Sequence, residues 1–523
     1  MVDQAVQTTP RQVNRWIIAI SVMLATFMEV LDTTVVNVSL PHIAGSLSAS
    51  VNEATWTLTS YLVANAIILP LTGWLASYFG RKRLLMIAVI GFTAASFLCG
   101  FAWNLASIIV FRVIQGLSGG ALQPLSQAVL LETFPPQDRG KAMGFWALGI
   151  VVAPILGPVV GGWLTDNYSW RWIFYINIPV GALSLIMTKM FIFDPPYLQR
   201  KTVRIDYWGI GFLAVGMGAL QIMLDKGQEL DWFSSMEIRS LAAVAAAMLA
   251  AFVMRELIAD EPVVNLRVLK NTTYSAGVFL MTMLGFVLFG SLILIPILLQ
   301  TLLGYPSLQA GMAMAPRGIG SFFANPIIGL LVGRVGPRKL LALGIISGSI
   351  TLYWLGMINL NAGYWDFFWP QLIQGVGLAL LFVPLTTITM DSIPKEEMGN
   401  ATSVFNLMRN LGGSIGIATS ATILDRSIQR NINILGSNVS DANPAVNSLL
   451  AGMRSNFILR GLDPTVAARR ANAALFGIVQ QQAMILSFIH VFRFMAIIFI
   501  LMLPLILLMK SPKRGKGPGS MAH

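Results

Sequence analysis

Glu29, Asp32, Arg112 and Arg409 are ionisable side chains inside apolar runs long enough to cross a bilayer. Inserting such a group in hydrocarbon costs about 2.5–3.5 kcal/mol, so each is a functional candidate by default. Glu29 and Asp32 are three residues apart, which puts both on one face of a helix. Two carboxylates so close and away from bulk water resist carrying two charges at once. A pair of this kind can accept a proton and release it when a cation or cargo approaches, the chemistry of proton-coupled movement. At about 1.5 Å per residue, Asp32 lies roughly 9 Å from the end of its run at Val38, and Arg112 roughly 10 Å from the start of its run at Leu105. The two therefore sit at similar depth. Arg409 lies roughly 12 Å from Ala401, near the middle of its run, where it suits substrate binding, tuning of a proton site or structural pairing. Arg317 falls in a further run, and His490 and Arg493, one turn apart in the last, read as a structural pair. The alternative for Asp32 is that it ties its helix to its neighbours by hydrogen bonds and never titrates.

The elements that must position these groups follow from composition. Of 523 residues, 55% are hydrophobic and 11% charged, against roughly 45–50% and 25% in soluble domains. Such a chain reads as an all-α integral membrane protein. The net charge of +12 lies in short basic blocks between apolar runs, which suits orientation in a membrane and not nucleic-acid binding. Cys99 is the sole cysteine, so no intrachain disulfide forms. No phosphate loop of the Gly-x-x-x-x-Gly-Lys-Ser/Thr form occurs, which argues against an ATP-driven pump. Three histidines and one cysteine, dispersed, argue against a metal site or a membrane enzyme. No cofactor is expected; the energy source is a proton gradient.

Fourteen runs have the length of a span: Trp16–Val38, Thr55–Ala76, Leu84–Phe101, Leu105–Leu131, Ala142–Leu164, Ile173–Phe193, Tyr207–Leu224, Ile238–Leu257, Tyr274–Leu299, Leu308–Val332, Leu340–Leu360, Phe367–Met390, Ala401–Leu424 and Ile485–Met509. An even count puts both termini on one side. Segments on that side carry 22 of the 35 Lys and Arg, while the short loops opposite carry only Arg171, Lys226 and Arg239. Positive loops stay inside, so both termini are expected in the cytoplasm. The long segment Asp425–Met484 then lies outside. Asn431–Leu449 reads as irregular, and Pro464–Gln482 as a helix on the surface, packed on the outer mouth or against a partner.

Gly73, Gly80 and Arg81-Lys82-Arg83 follow the second run; Gly329, Gly336 and Arg338-Lys339 follow the tenth with the same seven-residue glycine spacing. Duplication of this kind marks transporters built from two repeated halves. Several further stretches are diagnostic: Leu31-Asp32-Thr-Thr-Val-Val-Asn37-Val-Ser-Leu-Pro41, Arg112-Val-Ile-Gln115-Gly116, Ala153-Pro154-Ile-Leu-Gly157-Pro158-Val-Val-Gly161-Gly162, Trp170-Arg171-Trp172-Ile-Phe-Tyr-Ile-Asn177-Ile-Pro179 and Arg409-Asn410-Leu-Gly412-Gly413-Ser-Ile-Gly416. In this order and at these depths the chain resembles the fourteen-span drug–proton antiporters of the major facilitator superfamily, the EmrB type.

The resemblance implies a two-bundle fold of six plus six helices with two extra transmembrane helices inserted between the halves. Residues 1–195 would form the first bundle, 196–262 the two inserted helices, and 263–523 the second bundle with the outer loop 425–484. It implies that the first and fourth helices adjoin, so that Asp32 and Arg112 pair, with Asp32, Glu29 and Arg112 coupling the proton. Asn37, Gln115, Arg317 and Arg409 are candidates for substrate binding; Arg317 departs from the family pattern, which points to a particular substrate. Pro154, Gly157, Pro158, Gly161 and Gly162 are the antiporter signature, a bent, closely packed helix that seals one half against the other. Gly73, Gly80, Arg81, Gly329, Gly336 and Arg338 would form cytoplasmic gating turns, although the acid usual in the first is replaced by Ser77. The expected function is export of lipophilic drugs or toxins, with a proton-coupled importer or uniporter of a small metabolite as the rival. The expected partners are the small lipophilic substrate, membrane lipid and, in a host with two membranes, a periplasmic adaptor and an outer-membrane channel.

Overall fold

The computed structural model describes residues 14–194, 206–440 and 443–509, which are helices joined by turns, with no strand among the described residues. α1 (Arg15–Ser46) begins where the Asn14 side chain accepts the backbone N–H of Trp16, satisfying one of the donors that a helix start leaves open. A single turn, α2 (Val51–Ala54), leads into α3 (Trp56–Phe79) and, after Gly80 alone, into α4 (Arg81–Gly100). The fourth run is two helices, α5 (Leu105–Gly119) and α6 (Leu122–Thr133), parted at Gly120 and Ala121. α7 (Arg139–Asn167) is continuous, and α8 (Trp172–Tyr175) with α9 (Asn177–Phe191) makes the sixth run. α10 (Tyr207–Lys226) and α11 (Met236–Ile258) follow.

The second half opens with α12 (Thr272–Ile297), which ends in a π-helical turn over Leu298–Leu302 just after Pro296 removes a backbone donor. Then come α13 (Ser307–Val335), α14 (Pro337–Leu355), α15 (Tyr364–Asp391), α16 (Met398–Ser437), α17 (Pro444–Leu459) and α18 (Pro464–Ile500). Gly336, with φ +92°, separates α13 from α14 as Gly80, with φ +84°, separates α3 from α4. A side chain is strained at such φ values, so the duplicated sequence block is one tight turn made twice.

Each of the fourteen apolar runs falls in helix. Among the described residues, twelve helices or joined helix pairs are long and apolar enough to cross a membrane. α14 and α16 are outside that twelve: α14 opens on Pro337-Arg338-Lys339, and α16 is rich in Asn, Arg, Gly and Ser. Large apolar side chains such as Ile87, Ile90 and Phe97 of α4 cover the outside, as hydrocarbon requires and water does not. The chain is a multi-pass membrane protein.

α1 packs on α6, α7 and α9, and α5 joins α3 to α4. α12 packs on α16 and α15, α13 and α14 on α15, and α18 on α14 and α16. α10 and α11 lie against each other, with α10 resting on α3 and α16. The two sets meet where α7 crosses α13 and α15, and where α3 and α6 cross α16. The boundary at 195–196 and the basic residues before Asn14 and from Lys510 onward lie outside the described residues.

Two expectations for the segment Asp425–Met484 are revised. The described residues of Asn431–Leu449 are mostly helical: α16 continues to Ser437, and α17 starts at Pro444 with the Asn443 side chain capping it. Pro464–Gln482 is helical as expected, and it is the first half of α18, continuous with the last apolar run. The polar composition hides this because one thin seam carries the packing. There the buried Asn431 amide donates to Ser487 Oγ at 2.9 Å, and Leu475 is buried.

Candidate proton and substrate site

Asp32 is held entirely within the first half. Arg112 Nη1 donates to its Oδ2 at 2.5 Å, while Gln115 Nε2 at 2.9 Å and Asn177 Nδ2 at 2.8 Å donate to Oδ1. The side chains of Asp32 and Arg112 are both fully buried. Arg112 Nε donates to the Thr57 carbonyl at 3.0 Å, and its guanidinium lies 4.2 Å from the Tyr61 ring centre and 5.7 Å from that of Phe174. Asn177 is fixed in turn by donating to Ser96 Oγ at 3.0 Å. The pairing of Asp32 with Arg112 is therefore observed, and three helices, α1, α5 and α9, meet at one carboxylate.

Glu29 faces a different set. Asn65 Nδ2 of α3 donates to Oε1 at 3.1 Å and Gln123 Nε2 of α6 to Oε2 at 2.5 Å. Gln123 Oε1 accepts from Arg409 Nη2 of α16, so a chain Glu29–Gln123–Arg409 runs from one half into the other. The two carboxylates lie on neighbouring parts of α1 yet share no hydrogen-bond partner. Asn37 is exposed on α1 and takes no part in either set.

Arg317 is buried in α13. Its Nε donates to Gln371 Oε1 at 2.8 Å, and its Nη2 to Gln374 Oε1 at 2.6 Å and Ser291 Oγ at 3.5 Å. It sits in the second half, apart from the Asp32 and Glu29 sets.

The antiporter signature packs on α1. A Cβ on Gly157 would lie 2.2 Å from Thr34 Oγ1 and one on Gly161 2.8 Å from Val35 Cγ1, while Gly162 has room. Those contacts are within the first half; α7 crosses to the second half through its earlier turns instead. Gly140 stacks on Gly329, where a Cβ would come 2.9 Å from the Gly329 carbonyl, and Gly144 lies against the Asn325 carbonyl. Pro154 belongs to the same unbroken helix, and the side chain of Pro158 lies outside the described residues.

The glycine turns sit at the same end of the molecule. A Cβ on Gly73 would lie 2.7 Å from the backbone of Asn400. Arg81, with no acid at Ser77 to meet, pairs with Glu132 at the end of α6. Asp194 Oδ1 accepts the Lys82 N–H at 2.9 Å, capping α4 just after Gly80. Arg139 reaches Asp391 of α15 at 3.3 Å, and Asn406 of α16 donates to Gln127 of α6 at 2.5 Å. Trp146 of α7 stacks on Phe382 of α15 with ring centres 6.0 Å apart. These contacts hold the two halves together at the end shared by the two glycine turns.

Sequence reasoning missed Asn65, Gln123, Asn177, Gln371 and Gln374. Their signal was available: amides inside apolar runs carry the same demand for a partner as charges do, at lower cost.

Residues 22–417 match the family model described as Major Facilitator Superfamily. The multidrug export protein EmrB of Escherichia coli (strain K12) is 38% identical over 508 residues, 97% of this chain and 98% of that protein. The fatty acid resistance protein FarB of Neisseria gonorrhoeae is 38% identical over 505 residues, 96% of this chain and 97% of its own. The solved structure of the human organic anion transporter MFSD10 superposes with a TM-score of 0.59 at 14% identity, over 79% of this chain and 94% of that one, which is a likeness of fold.

Proposed function

Because the chain belongs to the major facilitator superfamily, we propose that it is a proton-coupled antiporter exporting lipophilic small molecules from the cytoplasm, with both termini on the cytoplasmic side of the inner membrane. Near-full-length similarity to a multidrug export protein supports the cargo class. The single observation that carries the coupling is the Glu29–Gln123–Arg409 chain.

Glu29 receives only amide donors directly, so a proton can reach it without breaking a buried ion pair. Protonation removes the charge that strengthens the Gln123 hydrogen bond, and with it the link through Gln123 to Arg409. The link between the halves then weakens at mid-depth, and the closed end can part. Cargo entering from the cytoplasm takes the place of the link, and the proton leaves inward as the halves close again. Asp32 has a separate task in this conformation. Protonating it would strand the Arg112 charge in a dry site, a penalty of several kcal/mol. It therefore keeps the buried knot of α1, α5 and α9 assembled while Glu29 exchanges. Basic residues at the glycine turns, with the Gly140–Gly329 crossing, form the cytoplasmic gate.

The outer ends of α16 and α18, with α17, project a helical hairpin whose Leu449, Ile458, Leu459 and Val466 are exposed. This is the part of the chain suited to receive an adaptor protein in an assembly with an outer-membrane channel.

The test is transport of a lipophilic dye in proteoliposomes under an imposed pH gradient. The parent should respond to the gradient, and Glu29→Gln should transport down the dye gradient without responding to pH. A parent that ignores the gradient excludes proton exchange, and a Glu29→Gln variant that still responds moves the proton elsewhere.

A further inference from the structure

The inserted pair α10–α11 has no part in the sites described, yet its polar contacts reach both halves. Far from the glycine turns, Thr59 Oγ1 of α3 donates to Asp225 of α10, and Lys226 Nζ donates to Thr55 Oγ1 at 3.0 Å. From the other half, Ser414 Oγ of α16 donates to Gln221 Oε1 at 3.1 Å, and Trp232 Nε1 donates to Thr422 Oγ1 at 2.8 Å. Nearer the glycine turns the pattern changes. The chain that leaves α11 folds back, with Val263 and Val264 buried in one cluster with Leu71 of α3, Phe252 of α11 and Val404 of α16. Glu256 Oε2 accepts the Val264 N–H at 3.0 Å, which fixes that return.

The next residue meets the gate. Asn400 Oδ1 of α16 accepts the Asn265 N–H at 3.0 Å, and Asn400 Nδ2 donates to the Asn265 carbonyl at 3.0 Å. One side-chain amide thus satisfies both backbone groups of one residue, a match that needs a donor and an acceptor side by side. The backbone of the same Asn400 is what Gly73 packs on: a Cβ on Gly73 would lie 2.7 Å from its N and Cα. Among the described residues α16 has no cap of its own to steady this turn, since Glu397 at its N-cap makes no side-chain cap hydrogen bond. The first turn is therefore set by what holds Asn400, the inserted pair on one side and α3 on the other.

Resting on the export reading above, we propose that Asn400 is a positioning residue of the gate and that α10–α11 is the anchor it is set against. The amide staples the return segment 263–265 to α16 and so presents the Asn400 backbone to Gly73 when the glycine-turn end closes. Opening separates Gly73 from Asn400 but breaks neither bond to Asn265, so at this end the pair travels with the second half. The interruption between two repeated halves thus has a task, to fix where the gate turn of one half lands on the other.

The test is the labelling rate of the purified full-length Thr72→Cys protein, whose new thiol is buried beside Gly73, with the parent and its buried Cys99 as background. It needs neither cargo nor gradient, so it is decided apart from export and proton coupling. Adding Asn400→Leu, which loses both bonds, should speed labelling about fivefold or more. Asn265→Pro should act in the same direction by removing one donor, because Asn265 has φ −72°, which proline adopts, and it reports even if Asn400→Leu folds poorly. Asn265→Ala keeps the backbone N–H and carbonyl and should leave the rate unchanged. A cysteine placed instead at Ser184, buried inside the first half, reports general loosening and should label no faster in any of these variants. An unchanged rate in Asn400→Leu or Asn265→Pro would overturn the proposal. So would an Asn265→Ala effect equal to that of Asn265→Pro, or a rise at Ser184 matching the rise at Thr72.

Discussion

One turn apart on α1, Asp32 and Glu29 are held in opposite ways. Asp32 meets a cation and two amides, all from the first half; Glu29 meets two amides, one of which hands on to an arginine of the second half. A carboxylate locked in a buried ion pair is costly to discharge, and one held by neutral donors is cheap to discharge. The contrast separates two arrangements that residue spacing alone could not divide, one that knots a bundle and one that links it to the other.

Substitutions can break or sharpen that contrast. The largest effect should come from Asp32→Ala or Arg112→Ala, each of which strands a buried charge; chemical denaturation in detergent should show a loss of about 3–5 kcal/mol. A smaller loss, about 1–3 kcal/mol, is expected for Gly140→Ala, whose Cβ would press on the Gly329 carbonyl at 2.9 Å. That variant should also leave the end at the glycine turns more open, measured as faster labelling of a cysteine placed beside Asn325. Glu29→Gln should cost about 1 kcal/mol or less of stability while abolishing the response to pH, a split that Asp32 variants should not reproduce. The smallest change should follow Lys141→Gln. Its pair with Asp138 lies at the surface, so chemical denaturation should show a loss below about 1 kcal/mol.

Much of the fold was legible. Fourteen apolar runs became fourteen stretches of helix because hydrocarbon leaves the backbone few other ways to satisfy its own hydrogen bonds. The glycine turns were legible because positive φ at Gly80 and Gly336 selects one residue type. The Asp32–Arg112 pair was reachable from depth alone once the two helices were taken as neighbours. The hairpin of α16 and α18 was not legible: its seam is a buried Asn431, a Ser487 and a few apolar contacts, too sparse for a periodic pattern to rise above a polar background. Nor could periodicity reveal that Gly157 and Gly161 press on α1 while Gly140 and Gly144 press on the other half, since a glycine names no partner. The division between Glu29 and Asp32 depends on which amides fold back onto each carboxylate. Gln123 and Asn65 lie 94 and 36 residues from Glu29, contacts that only tertiary structure creates.

The central claim, that Glu29 is the group that exchanges the proton, is tested most directly by counting protons released when a lipophilic ligand binds the purified protein in weakly buffered detergent solution. Release should occur in the parent, vanish in Glu29→Gln and persist in Asp32→Asn. Release that survives in Glu29→Gln and disappears in Asp32→Asn would reverse the two roles and contradict the account.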